Sequence, residues 1–220
     1  MKFRIMQTNA LRGLLYEFGE VLPEGYRAFS KAFPAALARA AERLPAILID
    51  SLREQWARAQ DTDQEMAVLE RHLASLFRDN PDCQKVADIP GVGLLTATAT
   101  VAAIGNVRTF KSGREFAAWL GLVPRQSGTG GRIRQMGLSK RGDTYLRTLL
   151  MHGARSVILQ GKRSDWVDGL LKRRPFNVAV AAVANKLARI IWRCWRDRRN
   201  ITLHQLQPPR RNDSQRSRLP

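Results

Sequence analysis

The 220-residue chain carries 37 Lys and Arg against 19 Asp and Glu, a formal net charge of +18 and a pI near 11.3. Hydrophobic residues make up 44%, enough for one or two packed domains, and the excess positive charge is relieved by polyanions, nucleic acid first among them. No stretch approaches the ~20 apolar residues of a membrane span and Met1–Phe18 lacks a cleavable leader pattern, so no membrane partner and a cytoplasmic setting are expected.

Leu11, Leu14, Leu15 and Phe18 predict a helix over Met1–Phe18, ended by Gly19 and Pro23–Gly25. Pro34 and Pro45 should bracket a second helical stretch with Leu37, Ala41 and Leu44 on one face. From Ile47 to Phe77, Leu52, Trp56, Ala59, Met66, Leu69, Leu73 and Leu76 recur at helical spacings, with Asp63 near the seam. That pattern reads either as one helix packed on its own domain or as a coiled-coil arm joining copies of the chain. Asn80–Pro81 breaks it, placing a boundary between a helical region, 1–80, and a compact helical domain, 81–200. Phe176, Val180, Val183, Leu187 and Cys194 then mark a last helix reaching Arg198, with Arg189, Arg193, Arg196, Arg198 and Arg199 crowding its end. The polar, proline-containing segment 201–220 is expected to be a disordered tail. The fold class is thus mainly α, with a possible short hairpin around the glycines of Leu122–Met136.

Four segments could carry chemistry. Gly91-Val92-Gly93, before an Ala/Thr-rich helix, could present backbone N–H groups to a phosphate, as the turn of a helix-hairpin-helix does. A tight turn that needs glycine for packing explains it equally well. The loop 124–134 holds Ser127 among Arg125, Arg132 and Arg134, a hydroxyl nucleophile surrounded by cations suited to phosphoryl transfer. It contains no His or acid to act as base. Ser139 is expected to cap the helix that follows, with Lys140, Arg141 and Arg147 near its start as phosphate contacts or as a solvated face. Lys186 and Arg189 form the basic edge of the last helix, while Asn185 and Trp192 read as packing residues. The two cysteines and three histidines have no ligand spacing, so no metal site is predicted, and the scattered acids form no convergent set for metal-dependent strand transfer.

In order along the chain stand Ile89-Pro-Gly-Val-Gly93, Phe110 with Ala117-Ala-Trp-Leu-Gly121, Leu122-Val-Pro-Arg125, Ser127-Gly128, Leu138-Ser-Lys-Arg-Gly142, Leu146-Arg147 and Ala184-Asn-Lys-Leu-Ala-Arg189. Together with Asn9-Ala-Leu-Arg-Gly-Leu-Leu15, this series resembles the DEDD-type insertion-sequence transposases of the IS110 family and its IS1111 subgroup, from about Gln7 to Trp195. The resemblance implies a C-terminal, serine-bearing part in which Ser127 joins covalently to DNA and a structured non-coding RNA guides target choice. It implies that Mg²⁺ and the DEDD acids come with a separate N-terminal RuvC-like domain, which has no counterpart in this sequence. The expected partners are therefore DNA, a guide RNA and a second copy through Ile47–Phe77, in the nucleoid. The competing expectation is a non-catalytic nucleic-acid binder, a remnant or a regulator of transposition. A third is a scaffold that only self-associates.

Overall fold

A computed structural model describes residues 2–129, 132–160 and 164–197, and the expected tail at 201–220 lies outside the described residues. The architecture is mainly helical. The elements run α1 (Lys2–Glu17), α2 (Tyr26–Ala41), α3 (Ala46–Asp79), α4 (Pro81–Ala87), α5 (Leu94–Ile104) and α6 (Gly113–Trp119). The strands β1 (Pro124–Thr129) and β2 (Arg132–Leu138) follow, then α7 (Thr144–Leu159), α8 (Asp165–Leu171) and α9 (Phe176–Asp197). Contacts divide the chain into two compact units, 1–72 and 73–220, with the division falling inside α3.

In the first unit, α1, α2 and the first half of α3 bury Leu11, Leu15, Phe29, Phe33, Leu52 and Trp56. Phe33 and Trp56 lie with ring centroids 4.8 Å apart, and Phe29 meets Trp56 edge-on at 5.7 Å. This aromatic packing explains a departure from the sequence expectation. Pro34 does not bound a helix but lies inside α2, which begins at Tyr26. A proline there removes one backbone hydrogen bond, and burial of Phe29, Phe33, Ala36 and Leu37 on either side offsets that loss. Asp63, which interrupts the α3 seam, pairs with Arg4 of α1, whose guanidinium lies 4.3 Å from the Tyr26 ring. Glu20, buried, receives Arg39 at 2.7 Å and Arg43 at 2.6 Å, so a carboxylate removed from water is doubly compensated. Leu52, Trp56 and Ala59 of α3 are buried here, whereas Leu69 and Leu76 are 60% and 62% exposed.

In the second unit, α9 is the central element. Ala179, Val180, Val183, Ala184, Leu187, Ala188, Ile191 and Cys194 form one buried face, and α4, α6, α7 and α8 all pack against the helix. Asn80 caps α4 by accepting from the N–H groups of Asp82 and Cys83, with Pro81 in the first helical position. The expected hairpin is present: β1 and β2 pair antiparallel, with a register shift between Pro124 and Gln126.

The expected Ser139 cap is not what the structure shows. Helix α7 starts at Thr144, and Asp143 caps it by accepting from the Leu146 N–H at 2.9 Å. Ser139 instead continues the hairpin, its N–H donating to the Val123 carbonyl at 2.8 Å. The reason is local backbone geometry: Lys140 (φ 52°) and Gly142 (φ 101°) turn the chain before the helix can begin. That turn lies directly on the end of α6. A Cβ on Gly142 would stand 1.7 Å from the Trp119 carbonyl oxygen, and one on Gly121 would stand 2.1 Å from that of Arg141. Gly142→Ala is therefore expected to destabilise the protein by at least about 2 kcal/mol, from strain and overlap together. Gly93→Ala, whose Cβ meets no atom within 4 Å, should change stability far less. Paired thermal melts check the contrast.

Candidate nucleic-acid interface

The hairpin register determines what surrounds Ser127. Ser127 pairs with Arg134, and Thr129 with Arg132. Paired residues of an antiparallel ladder share a face, and residues two apart along a strand return to it. Ser127, Arg132 and Arg134 therefore occupy one face of the ribbon, and Arg125 stands at the register shift near its root. Each of the four is exposed. From Pro124 to Leu138 the sequence contains three arginines and no acid. No carboxylate among the described residues pairs with Arg125, Arg132 or Arg134. The arrangement can hold a phosphodiester beside a hydroxyl, with charge available for its non-bridging oxygens. Neither β1 nor β2 contains a histidine or an acid that could serve as a base.

Lys140 and Arg141 lie at the root of the ribbon, exposed, in the turn that the Lys140 N–H ties to the Gly121 carbonyl at 3.2 Å. Arg147 is used differently. Its guanidinium donates to the Leu120 carbonyl and to the Thr144 hydroxyl, both at 3.1 Å, and so holds the start of α7 to the end of α6.

The Gly91 segment is a packed turn. The Val92 N–H donates to the Ile89 carbonyl at 2.9 Å, with Pro90 and Gly91 (φ 83°) at the two central positions, the sequence and geometry of a type II turn. A Cβ on Gly91 would meet the Gly153 carbonyl oxygen of α7 at 2.7 Å, and Val92 is buried. Gly93 caps α5 without a side chain, which leaves the first-turn N–H groups of that helix uncapped. Of the three, Gly93 is the residue placed where an anion could approach backbone donors.

Lys186 and Arg189 lie on a face of α9 distinct from its buried stripe, beside a groove of about 1530 Å³. Asn185 donates to the Leu122 carbonyl at 3.1 Å and Trp192 to that of Phe110 at 3.2 Å, so both serve packing. Sequence reasoning missed the rest of the groove: Arg114 and Arg193 as further cations, Ala181 and Ala182 as its low floor, and Trp166 as an apolar wall. Ala181 and Ala182 fall four residues before Asn185 and Lys186, a spacing that could have placed them on the same face.

The Lys186 ammonium lies 4.4 Å from the centre of the Trp166 ring and has no hydrogen-bond partner among the described residues. Burial, reinforced by the neighbouring Arg189, lowers its pKa to about 8. Burial likewise raises the Cys194 thiol to about 11, which makes it a poor nucleophile. Among the described residues no three His, Cys, Asp or Glu side chains converge into a set that could hold a metal ion, and no helix is long and apolar enough to cross a membrane.

A mainly helical protein presenting a serine on a cationic ribbon is the class that these features define. Residues 83–166, which contain that ribbon, match the Transposase IS116/IS110/IS902 family. The chain is 44% identical over 198 residues to a probable family 20 transposase of Pseudomonas aeruginosa, covering 87% of this chain and 59% of that protein. It is 38% identical to the transposase for insertion sequence element IS1111A of Coxiella burnetii, over 87% of this chain and 54% of the relative. It is 36% identical to the transposase for element IS1328 of Yersinia enterocolitica, over 86% of this chain and 57% of the relative. The chain thus spans somewhat more than half the length of these relatives.

The Lys186 pKa has a consequence for stability. Folding penalises the charged ammonium, the reverse of a lysine that gains a partner. The penalty is fully present below pH 8, diminishes as pH rises, and is gone above the ordinary lysine value of 10.5. Lys186→Met should therefore raise the melting temperature at pH 7, and its advantage should shrink between pH 8 and 10.5. Thermal melts of both proteins across that range measure the difference.

Proposed function

We propose that the chain is the serine-bearing part of a transposase and acts on DNA. The observation that carries this reading is the ribbon register, which sets Ser127 opposite Arg134 and on one face with Arg132, with Arg125 two residues away at the register shift. In the proposed step, the Ser127 hydroxyl oxygen attacks phosphorus in line. A phosphorus–oxygen bond to the serine forms while the bond to the leaving deoxyribose oxygen breaks. The serine proton passes to a base outside this chain, and the leaving alkoxide takes a proton from solvent. The arginines neutralise charge on the non-bridging oxygens, while Lys140 and Arg141 hold the adjoining backbone. The acids of the described residues do not converge into a set that could hold a metal ion. The acid-bearing part and its Mg²⁺ belong, in this proposal, to a separate RuvC-like domain, and a structured RNA selects the target in the nucleoid.

The decisive experiment mixes the full chain, a RuvC-like domain supplied in trans and duplex DNA carrying an element end, then denatures the mixture and looks for protein-linked DNA. The native chain should give an adduct that resists denaturation, and Ser127→Ala should give none. An undiminished adduct from Ser127→Ala would falsify the assignment of the nucleophile.

The lack of a histidine or acid in β1 and β2 favours a second reading, a binder that holds DNA or RNA without chemistry, as a regulator or remnant. Under that reading no adduct forms with either protein, yet both bind duplex with a steep salt dependence.

Self-association through α3 is also proposed. It is supported by the exposure of Leu69 and Leu76, seven residues apart, on a single helix of 34 residues. Leu69→Glu with Leu76→Glu should shift the sedimentation coefficient to that of a monomer without lowering the melting temperature of the first unit's aromatic core. An unchanged coefficient removes the arm from consideration.

A further inference from the structure

The groove along α9 is lined by none of Arg125, Ser127, Arg132 and Arg134. Its volume, about 1530 Å³, exceeds the ~300–1,000 Å³ of ordinary small-molecule sites, so it suits a segment of polymer. Its charged lining residues are Arg114, Lys186, Arg189 and Arg193, and no acid lines it among the described residues. Ala181 and Ala182 keep its floor low, while Met151 and Trp166 supply apolar surface. Pro124 on one strand and Met136–Leu138 on the other are both hairpin root and groove wall. Pro124 is three residues, ~10 Å of strand, from Ser127.

We infer that this groove takes an unpaired stretch of nucleic acid, its bases against the apolar wall and its phosphates on Lys186, Arg189 and Arg114. The inference rests on the nucleic-acid reading above and goes beyond it. A site for duplex needs cations at the spacing of a backbone and has no use for a buried apolar wall. A site for single strand needs both. The charge decides against an apolar protein helix: Arg193 pairs with Asp197 at 3.7 Å, but Arg114, Lys186 and Arg189 have no acid lining the groove among the described residues, and they favour an anionic occupant. The unsatisfied ammonium of Lys186 agrees, because a phosphate supplies the partner that the protein does not.

The test compares, by fluorescence anisotropy with the full chain, a short oligothymidylate with an abasic oligomer of equal length and charge. The oligothymidylate should bind about tenfold tighter, as one well-contacted base is enough to produce. Ala182→Phe, which fills the groove without removing a core side chain, should abolish that preference at an unchanged melting temperature. Lys186→Met should weaken both oligomers but keep the preference. Equal binding of the two oligomers by the native chain overturns the inference while leaving backbone binding intact. An unaltered preference in Ala182→Phe also overturns it, as does displacement of the oligothymidylate by an acidic amphipathic peptide at lower concentration. If neither oligomer nor duplex binds, the nucleic-acid reading falls with it.

Discussion

The second unit depends on the burial of one face of α9. Val180, Val183, Leu187 and Ile191 are each at most 1% exposed, and the helices that cover them have no other shared surface of comparable extent. Once that face is inward, the rest of the helix has no freedom of placement. Asn185 must meet the Leu122 carbonyl, Trp192 must meet that of Phe110, and Lys186 and Arg189 must fall on the groove side. The positions of the cations follow from apolar packing and not from attraction to any acid. This accounts for an ammonium held with no hydrogen-bond partner: the hydrophobic free energy of the stripe outweighs the desolvation of one lysine, which retains an indole face as partial compensation.

A second constraint works through backbone contact. At Gly91 with Gly153, and at Gly121 and Gly142 with the segments they touch, main chains approach closely enough that a β-carbon would overlap a carbonyl oxygen. Such contacts fix distance and angle together, because peptide groups do not deform as side chains do. They seat the turn at Lys140–Gly142 against the end of α6, and through the Ser139 and Lys140 N–H bonds they fix the root of the ribbon. The result is a cluster of positive charge, without an acid partner among the described residues, on a rigid base. A protein of net charge +18 gains no stability from that cluster by itself.

Much of this was legible in the sequence, for reasons that differ by residue. The α9 stripe and the Asn80–Pro81 break were readable because periodicity and capping are local. The hairpin was readable from its glycines. Ser139 misled because a serine before a helix is a sound cap signal, and nothing local announces that Lys140 adopts a left-handed conformation. Asp143, the residue that caps, was overlooked beside it. Pro34 misled for the opposite reason, since the aromatic packing that carries a helix through a proline is tertiary. The ribbon face was half legible: three arginines and a serine are visible as a list, but only the register places Ser127 with Arg132 and Arg134. The groove was not legible, as its walls come from α6, the ribbon, α7, α8 and α9. Several motif residues that carry the family resemblance, Gly91, Gly121, Gly142 and Asn185 among them, prove to be contacts within the fold.

The ribbon itself has little to hold it. Residues on both of its faces, Arg125 and Gln126 or Arg134 and Gln135, are exposed, and a two-stranded sheet without a covering layer contributes only marginal stability. Its ordering and the folding of the helical core are therefore distinct equilibria. The free energy that keeps Ser127 in register is local, set by the ladder and by whatever lies against the arginines, and it is small beside the free energy of unfolding. A substitution in α9 can loosen the core while the serine stays in line, and a change in the ladder can misplace the serine in a protein that melts normally. Thermal stability is thus a poor proxy for the order of the ribbon in this chain, and an occupant of the ribbon face would act as part of the structure that positions Ser127.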